Sequence, residues 1–402
     1  MDTTICLRVA GFCTACTTAG IKRSSSAFGD MGLIVADRPA VAAGVFTQSR
    51  AAAAPVLVSR RHLAAGRPIG AILVNSGNAN ACTGAEGAAN ALALGADLAR
   101  RLKLAPAQVL HASTGVIGHQ LPVALMRKGL PVLVKGLAAS NGFGLARTIM
   151  TTDLVPKWTC VEGYLDGRKI TISGIAKGSG MIAPNMATML SFVLTDAAVE
   201  RKCLQRMWAL VTADTFNRVT VDTDTSTNDS AFILAGGAAG NKRITDPTSA
   251  AGRHFMALLH QAVNPLARAI AIDGEGATKI ITVTAAGFGS DAACDRVART
   301  VAESPLVKTA MYGNDPNWGR IIAAAGRAGV PFPLSSISIN LCRVPVFSKG
   351  APAAFDRPAL AARLKSSEVG IDLACGRGRG RARVYTCDYS YDYIKINADY
   401  HT

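Results

Sequence analysis

Apolar residues recur along this chain in short blocks of two kinds, and the alternation of the two predicts its elements. The run Ile69 to Val74 is apolar and β-rich, gives way to Asn75-Ser76-Gly77-Asn78-Ala79-Asn80, and is followed by an Ala/Leu-rich segment from Gly87 to Leu102. That order predicts strand, polar turn and helix. A second β-rich run, Gln108 to Ala112, leads into Ser113-Thr114-Gly115-Val116-Ile117-Gly118, so a strand end again delivers small hydroxyl and glycine residues. Between Cys160 and Ala176 two β-rich runs flank Asp166-Gly167, a pair that adopts positive φ angles readily and so predicts a hairpin. Thr188 to Leu194 reads as a strand, and Asp196 is placed to cap a helix over Ala197 to Thr215. Strands near Ala231 to Leu234 and Ile280 to Thr284 alternate with helices near Ala251 to Gln261, Cys294 to Ala302 and Trp318 to Arg327. The mixture predicts an α/β (α+β) protein of sheet layers covered by helices. With no Pro-, Ser- or acid-rich linker and no repeat, a single compact body is expected.

Composition narrows the picture. The 402 residues are 49% hydrophobic but only 5% aromatic, which excludes a disordered polar chain and requires a core of aliphatic and alanine side chains. No stretch approaches the ~18 apolar residues of a membrane span, and Met1-Asp2-Thr3-Thr4 carries an acid where a secretory signal carries bases. The expectation is a cytoplasmic protein without a membrane partner. Ten cysteines scattered through a chain of this length read as reduced, mostly buried fillers, and Cys13-Thr14-Ala15-Cys16 lacks the second pair or His of a zinc site. Lys and Arg outnumber Asp and Glu 43 to 27. The excess concentrates only at Arg377-Gly378-Arg379-Gly380-Arg381-Ala382-Arg383, where an extended backbone puts the arginines on one face. No aromatic residue interleaves them, which favours a solvated strand face over a nucleic-acid tract. Asp222, Asp224 and Asp229 resemble a calcium loop, but Thr227 and Ile233 occupy the positions that need Gly and Glu. Hydrogen bonding, and no metal, is expected there.

The stretch from Lys177 to Thr188 concentrates candidate chemistry. Gly178 and Gly180 free the backbone, Pro184 stiffens it, and the hydroxyl of Thr188 stands at the mouth of a strand, where a nucleophile can be presented. The four-residue spacer and Gly-Lys-Ser/Thr ending of a phosphate-binding P-loop are missing. Residue types alone favour a structural hairpin exit.

The run KGSGMIAPNMATMLSFVLTDA, Lys177 to Ala197, resembles the signature of the bifunctional arginine biosynthesis proteins, the glutamate N-acetyltransferases also called ornithine acetyltransferases. Further matches follow in the same order: Gly20-Ile21-Lys22, Val45-Phe46-Thr47, NSGNANACTG from Asn75 to Gly84 and STGVIG from Ser113 to Gly118. STNDS from Ser226 to Ser230, DGEGATK from Asp273 to Lys279, DPNWGR from Asp315 to Arg320 and INADYHT from Ile396 to Thr402 complete them. The resemblance implies a layered αββα-like sandwich of the ornithine acetyltransferase type. It implies a chain that cuts itself between Ala187 and Thr188 into an α chain of residues 1–187 and a β chain of residues 188–402, both in one catalytic unit.

Thr188 would then act twice. Its hydroxyl attacks the Ala187 carbonyl in an N-to-O acyl shift, and the freed α-amino group, of reference pKa ~7.7 to 8.0, becomes the base beside the same hydroxyl. The resemblance makes the Thr114 hydroxyl and the Gly115 N–H the oxyanion donors. It makes Thr151, Lys177, Thr188, Glu275, Asn397 and Thr402 the substrate contacts, with Lys177 neutralising an α-carboxylate and Glu275 pairing with the terminal amine of ornithine. The implied reaction is ping-pong transfer of acetyl from N2-acetylornithine to glutamate, without organic cofactor or metal, with acetyl-CoA a further donor in bifunctional members. Two α and two β chains would associate as a heterotetramer. An N-terminal-nucleophile amidase or aminopeptidase would share the self-cleavage and pass the acyl group to water. Thr223, Tyr389 and His401 depart from the family's usual Gly, Leu and Arg.

Overall fold

Strands form where apolar alternation is strongest, and one of them is long enough to fold the sheet over on itself. The computed structural model describes residues 2–22, 29–139, 142–183 and 189–399; the expectations for Ala187, Thr188, His401 and Thr402 lie outside these residues. The first strands are β1 (Phe12–Thr17), β2 (Met31–Phe46), β3 (Ile69–Asn78), β4 (Val109–Val116), β5 (Lys157–Leu165), β6 (Arg168–Lys177), β7 (Leu190–Thr195) and β8 (Ser230–Ala235). They make an eight-stranded sheet in the order β4-β3-β2-β8-β7-β6-β5, with β1 paired to β2 off this path. The first part of β2, Met31 to Val35, pairs with β3, its last part, Val41 to Phe46, pairs with β8, and the register breaks in between.

That break turns one sheet into two facing layers. Ile34, Ile72, Val74 and Leu110 from one half and Ile175, Phe192, Leu194, Phe232 and Leu234 from the other share a single buried cluster. The alternate residues Leu33, Ala71, Leu73 and Val109 face outward and pack with Leu94 and Leu98 of α2 (Gly84–Leu102) and Met126, Leu130 and Leu133 of α3 (Val123–Lys135). Helix α1 (Ala54–Ala64) lies against β4, where Ser59 Oγ donates to the His111 carbonyl at 2.8 Å. The short α4 (Gly142–Thr148) follows. On the opposite side α5 (Arg201–Asp214) is held by a Trp208 Nε1 hydrogen bond to the Ala231 carbonyl at 2.9 Å. There α6 (Ala250–Ile272) sits so close that a Cβ on Gly163 or Gly174 would meet Leu258 or Leu266. Helix, sheet, sheet and helix are the αββα layers expected.

The second set comprises β9 (Ile280–Ala286), β10 (Ile337–Leu341), β11 (Val344–Ser348), β12 (Ala351–Pro352), β13 (Glu368–Cys375) and β14 (Arg381–Cys387), in the order β12-β11-β10-β13-β9-β14. Its core joins Ile281, Val283, Ile339, Ile371 and Val384 to Val297 and Val301 of α7 (Asp291–Ala302) and Ile321 of α9 (Trp318–Gly326). Helices α8 (Pro305–Tyr312), α10 (Arg357–Arg363) and α11 (Tyr391–Asp399) complete it. Each set closes its own core, so the expectation of a single body is corrected: one compact unit holds residues up to Asn217 with Asp224–Ala267, and the other holds Arg218–Thr223 with the residues from Arg268. The boundary falls within α6, where no change of composition marks it.

Other expectations change in detail. The polar residues Asn75 to Asn78 continue β3 because β4 runs alongside them, pairing Asn75 with Ser113 and Ser76 with Thr114. Asp196 caps no helix. Its carboxylate accepts the Thr171 N–H of β6 at 2.8 Å, and α5 starts only at Arg201, with Glu200 accepting the Cys203 N–H at 2.9 Å. Helix α6 runs through Pro265 to Ile272, because burying Leu266, Ala267, Ile270 and Ala271 outweighs a proline penalty of about 3 kcal/mol. Among the described residues α6 is also the one helix long and apolar enough to cross a membrane, which corrects the expectation that no stretch approaches a span; half of that segment is buried within the fold. The hairpin is as expected, with φ of 49° at Asp166 and 74° at Gly167. Of the arginine run, Arg381 and Arg383 share the exposed face of β14, while Arg377 and Arg379 precede the strand. All ten cysteines are free thiols, and among them only Cys82 is exposed.

Candidate functional site

The parallel pair β3–β4 ends in a register slip at Gly77 and Asn78. The facing glycines both have positive φ, 95° at Gly77 and 130° at Gly115. A Cβ on Gly115 would lie 2.4 Å from the Gly77 carbonyl carbon and 2.6 Å from the Asn78 nitrogen, so only glycine permits this approach. Beside it the buried Thr114 Oγ1 accepts a hydrogen bond from the Lys177 ammonium at 3.1 Å. Since the lysine occupies an oxygen lone pair, the threonine keeps its own proton for another acceptor, and no described residue takes it. An oxygen arriving at this hydroxyl would meet a donor that is already oriented.

Asp153 organises the cationic side of this site. It accepts the Lys157 ammonium at 2.7 Å, the Gly178 N–H at 2.7 Å and the Thr151 N–H at 3.1 Å, tying Thr151 to the turn that leaves Lys177. Burial alone would push its carboxyl up, but the Lys177 and Lys157 ammoniums and these hydrogen bonds hold it down, at about 2. Lys22 lies in the same field; burial lowers its pKa, Asp30 opposes that, and Lys177 adds to the lowering. Its Nζ donates to the Gly29 and Thr148 carbonyls at 3.3 and 3.2 Å. An isolated lysine is ordinarily a surface charge, whereas Lys177 is only 3% exposed. Two ammonium groups held out of bulk water suit a carboxylate-bearing ligand.

A carboxyl whose pKa is depressed on folding stabilises the protein above its unfolded value, and that stabilisation is lost as pH falls through the folded value. For Asp153 the window runs from about 3.8 down to about 2. Asp153→Asn is therefore expected to be less stable than wild type at neutral pH, with the difference shrinking across that window; denaturant melts at stepped pH check it.

Other expected site residues lie in the second unit. Glu275 is buried and accepts the Asn397 Nδ2 at 3.0 Å, while Asn397 also donates to the Tyr393 carbonyl at 3.0 Å. The structure thus groups Thr114, Gly115, Thr151 and Lys177 in the first unit and pairs Glu275 with Asn397 in the second. Ala187, Thr188 and Thr402 lie outside the described residues. Ala183 and Met189, the described residues nearest the expected cut, are both buried. Among the departures from the family pattern, Thr223 adopts a φ of 70°, where a β-branched residue is strained and glycine is not. Thr223→Gly is expected to stabilise the chain by about 1 kcal/mol, read as a small rise in Tm. Tyr389 stacks on Tyr393 at 4.7 Å.

Sequence reasoning missed Asp153, Lys157 and the part Lys22 takes. Lys22 lies in a family-matching motif and Asp153 directly follows Thr151-Thr152, but a lone acid among hydroxyls carries no local sign that three donors will converge on it. It also gave Asn228 and Asp229 no part beyond structural hydrogen bonding.

The ArgJ family model matches residues 13–402. The arginine biosynthesis bifunctional protein ArgJ of Thermosynechococcus vestitus is 47% identical over 407 residues, covering 98% of this chain and 96% of that protein. The protein of the same name from Desulfotalea psychrophila is 45% identical, covering 98% of this chain and 100% of the relative. A crystal structure of the arginine biosynthesis bifunctional protein ArgJ from Bacillus halodurans superposes with a TM-score of 0.52 at 42% identity, covering 53% of this chain and 100% of that chain.

Proposed function

Because this chain belongs to the ArgJ family, we propose that it is an acetyltransferase of arginine biosynthesis that moves acetyl from N2-acetylornithine to glutamate through an ester on Thr188. The observation that carries the reading is the Thr114 hydroxyl, held by Lys177 beside the glycine-only turn at Gly115. Scission between Ala187 and Thr188 transfers the Ala187 acyl carbon from nitrogen to the Thr188 oxygen, and water then releases it. The freed amine takes the hydroxyl proton as the oxygen attacks the acetyl carbonyl. Thr114 and Gly115 stabilise the resulting oxyanion, and the proton passes to the departing ornithine amine. Glutamate's amine then attacks the threonyl ester and regenerates the hydroxyl.

Lys177, supported by Asp153, receives the substrate carboxylate in this reading, and Glu275 the terminal amine. Thr151, Asn397 and Thr402 supply further polar contacts. Acetyl-CoA as a second acetyl donor, independence of metal and organic cofactor, association of two α and two β chains, and a cytoplasmic location belong to the same proposal.

Two measurements test it together. Intact mass should show two species divided before Thr188, and labelled acetylornithine without glutamate should leave label on the C-terminal species. A whole, unlabelled chain would refute the covalent scheme, and free acetate accumulating regardless of glutamate would make the protein a hydrolase. Thr114→Ala is expected to lower kcat about 10²- to 10³-fold by removing one oxyanion donor, with KM for acetylornithine moving far less; steady-state kinetics check the split.

A further inference from the structure

Thr114 stands on β4 and Thr188 immediately precedes Met189 at the entry to β7, yet β3, β2 and β8 separate these strands in the sheet. No β-ladder links β4 directly to β7, so the spacing between acyl carrier and oxyanion donor needs another device. The turn from Ser226 to Ser230 reaches both. Asp229 Oδ1 accepts the Met189 N–H at 3.0 Å, and the Ser230 N–H donates to the Met189 carbonyl at 3.1 Å, so the residue after Thr188 is gripped on both sides of its backbone. Asn228 reaches the other way, its Nδ2 donating to the Ala79 carbonyl at 2.6 Å and to the Ser113 carbonyl at 2.9 Å, one residue before Thr114.

Both side chains are buried, and the turn that carries them is stiff. Ser226 Oγ accepts the Asn228 N–H at 3.0 Å, Thr227 Oγ1 donates to Asn228 Oδ1 at 2.6 Å, and Ser230 Oγ donates to the Asn228 carbonyl at 3.2 Å. From outside, the Thr47 and Ala53 N–H groups close on the carbonyls of Asp229 and Thr227 at 3.0 and 2.8 Å.

We propose that Asn228 and Asp229 are positioning residues forming a two-ended gauge, one end fixing the peptide that follows Thr188 and the other the strand end that carries Thr114. The residue types suit the two ends. An Asn amide nitrogen carries two N–H donors and can hold two carbonyls at once, which a carboxylate cannot. Burial raises the pKa of Asp229 well above the usual carboxylate value, against the opposing pull of the Met189 N–H, Lys177 and Ser226, and in either protonation state its Oδ1 accepts the Met189 N–H. An error of 1 Å in such a constellation costs about 10²-fold in rate.

The inference rests on the roles assigned above to Thr188 and Thr114, so wild type is the internal control. Precursor cleavage is followed by intact mass, and kcat and KM are measured on processed enzyme, for wild type and folded variants. Asp229→Asn keeps the acceptor and is expected to cut and turn over within about threefold of wild type. Asp229→Ala is expected to cut at least about tenfold more slowly. Asn228→Asp, or Asn228→Ala should the first not fold, is expected to lower kcat about tenfold or more with KM nearly unchanged, because its grip is on the donor and not the substrate. Wild-type behaviour in Asp229→Ala and the Asn228 variant overturns the gauge. So does loss of cleavage in Asp229→Asn, which would mean that the carboxyl works through its proton, or a rise in KM alone. A wild-type chain that stays whole defeats instead the function proposed above.

Discussion

Thr188→Ala is expected to remain a single uncut chain and to transfer acetyl about 10⁶-fold more slowly than wild type, the scale seen when a nucleophile is removed from otherwise intact machinery. The substitution removes one oxygen and two events with it. Without the hydroxyl nothing attacks the Ala187 carbonyl, so no α-amine is released; without that amine no base stands beside position 188. The fold should be untouched, because Met189 stays anchored through Asp229 and Ser230. Intact mass, a radiolabel transfer assay and a thermal melt check the three parts, and a cut chain or a transfer rate near that of wild type would remove Thr188 from the mechanism.

Gly115→Ala is expected to act on stability and turnover together. At a φ of 130° an L side chain is strained, and its Cβ would press into the Gly77 backbone at 2.4 Å, where no flexible side chain can give way. Strain and overlap should together cost roughly 2–6 kcal/mol, and displacing the proposed oxyanion donor should cost about 10² in kcat. Gly118→Ala is the control. Its φ is 88°, but nothing lies within 4 Å of the added carbon, so only backbone strain applies. Melting temperature and kcat measured on both variants separate the contributions; equal behaviour of the two would show that the close approach at Gly115 matters neither to stability nor to rate.

Much of the architecture is legible in local pattern because it depends on local chemistry. Asp166-Gly167 bends a hairpin through its own two residues, and the strands at Ile69, Val109, Leu190 and Ile280 follow from β-rich runs. What escapes such reading is fixed by partners distant in the chain. Asp196 resembles a helix cap until Thr171, on β6, supplies the donor it prefers. Asn75 to Asn78 resemble a turn until β4 pairs with them. Division into two units cannot be read where the boundary crosses an uninterrupted helix. At the site, Thr114, Gly115 and Lys177 were nameable only through resemblance, since Thr-Gly at a strand end is ordinary by itself. The roles of Asp153 and Asn228 emerge only from the donors and carbonyls that gather around each.

The order β2-β8-β7-β6 has one more consequence. Strands β7 and β8, which follow position 188, sit wedged between β2 and β6, which precede it. A nick before Thr188 therefore leaves two polypeptides interleaved through shared ladders, with Leu190 still bonded opposite Lys177 and Ser230 opposite Phe46. The proposed cut would therefore sever the chain without freeing its parts, because neither polypeptide could leave without breaking the ladders it shares with the other.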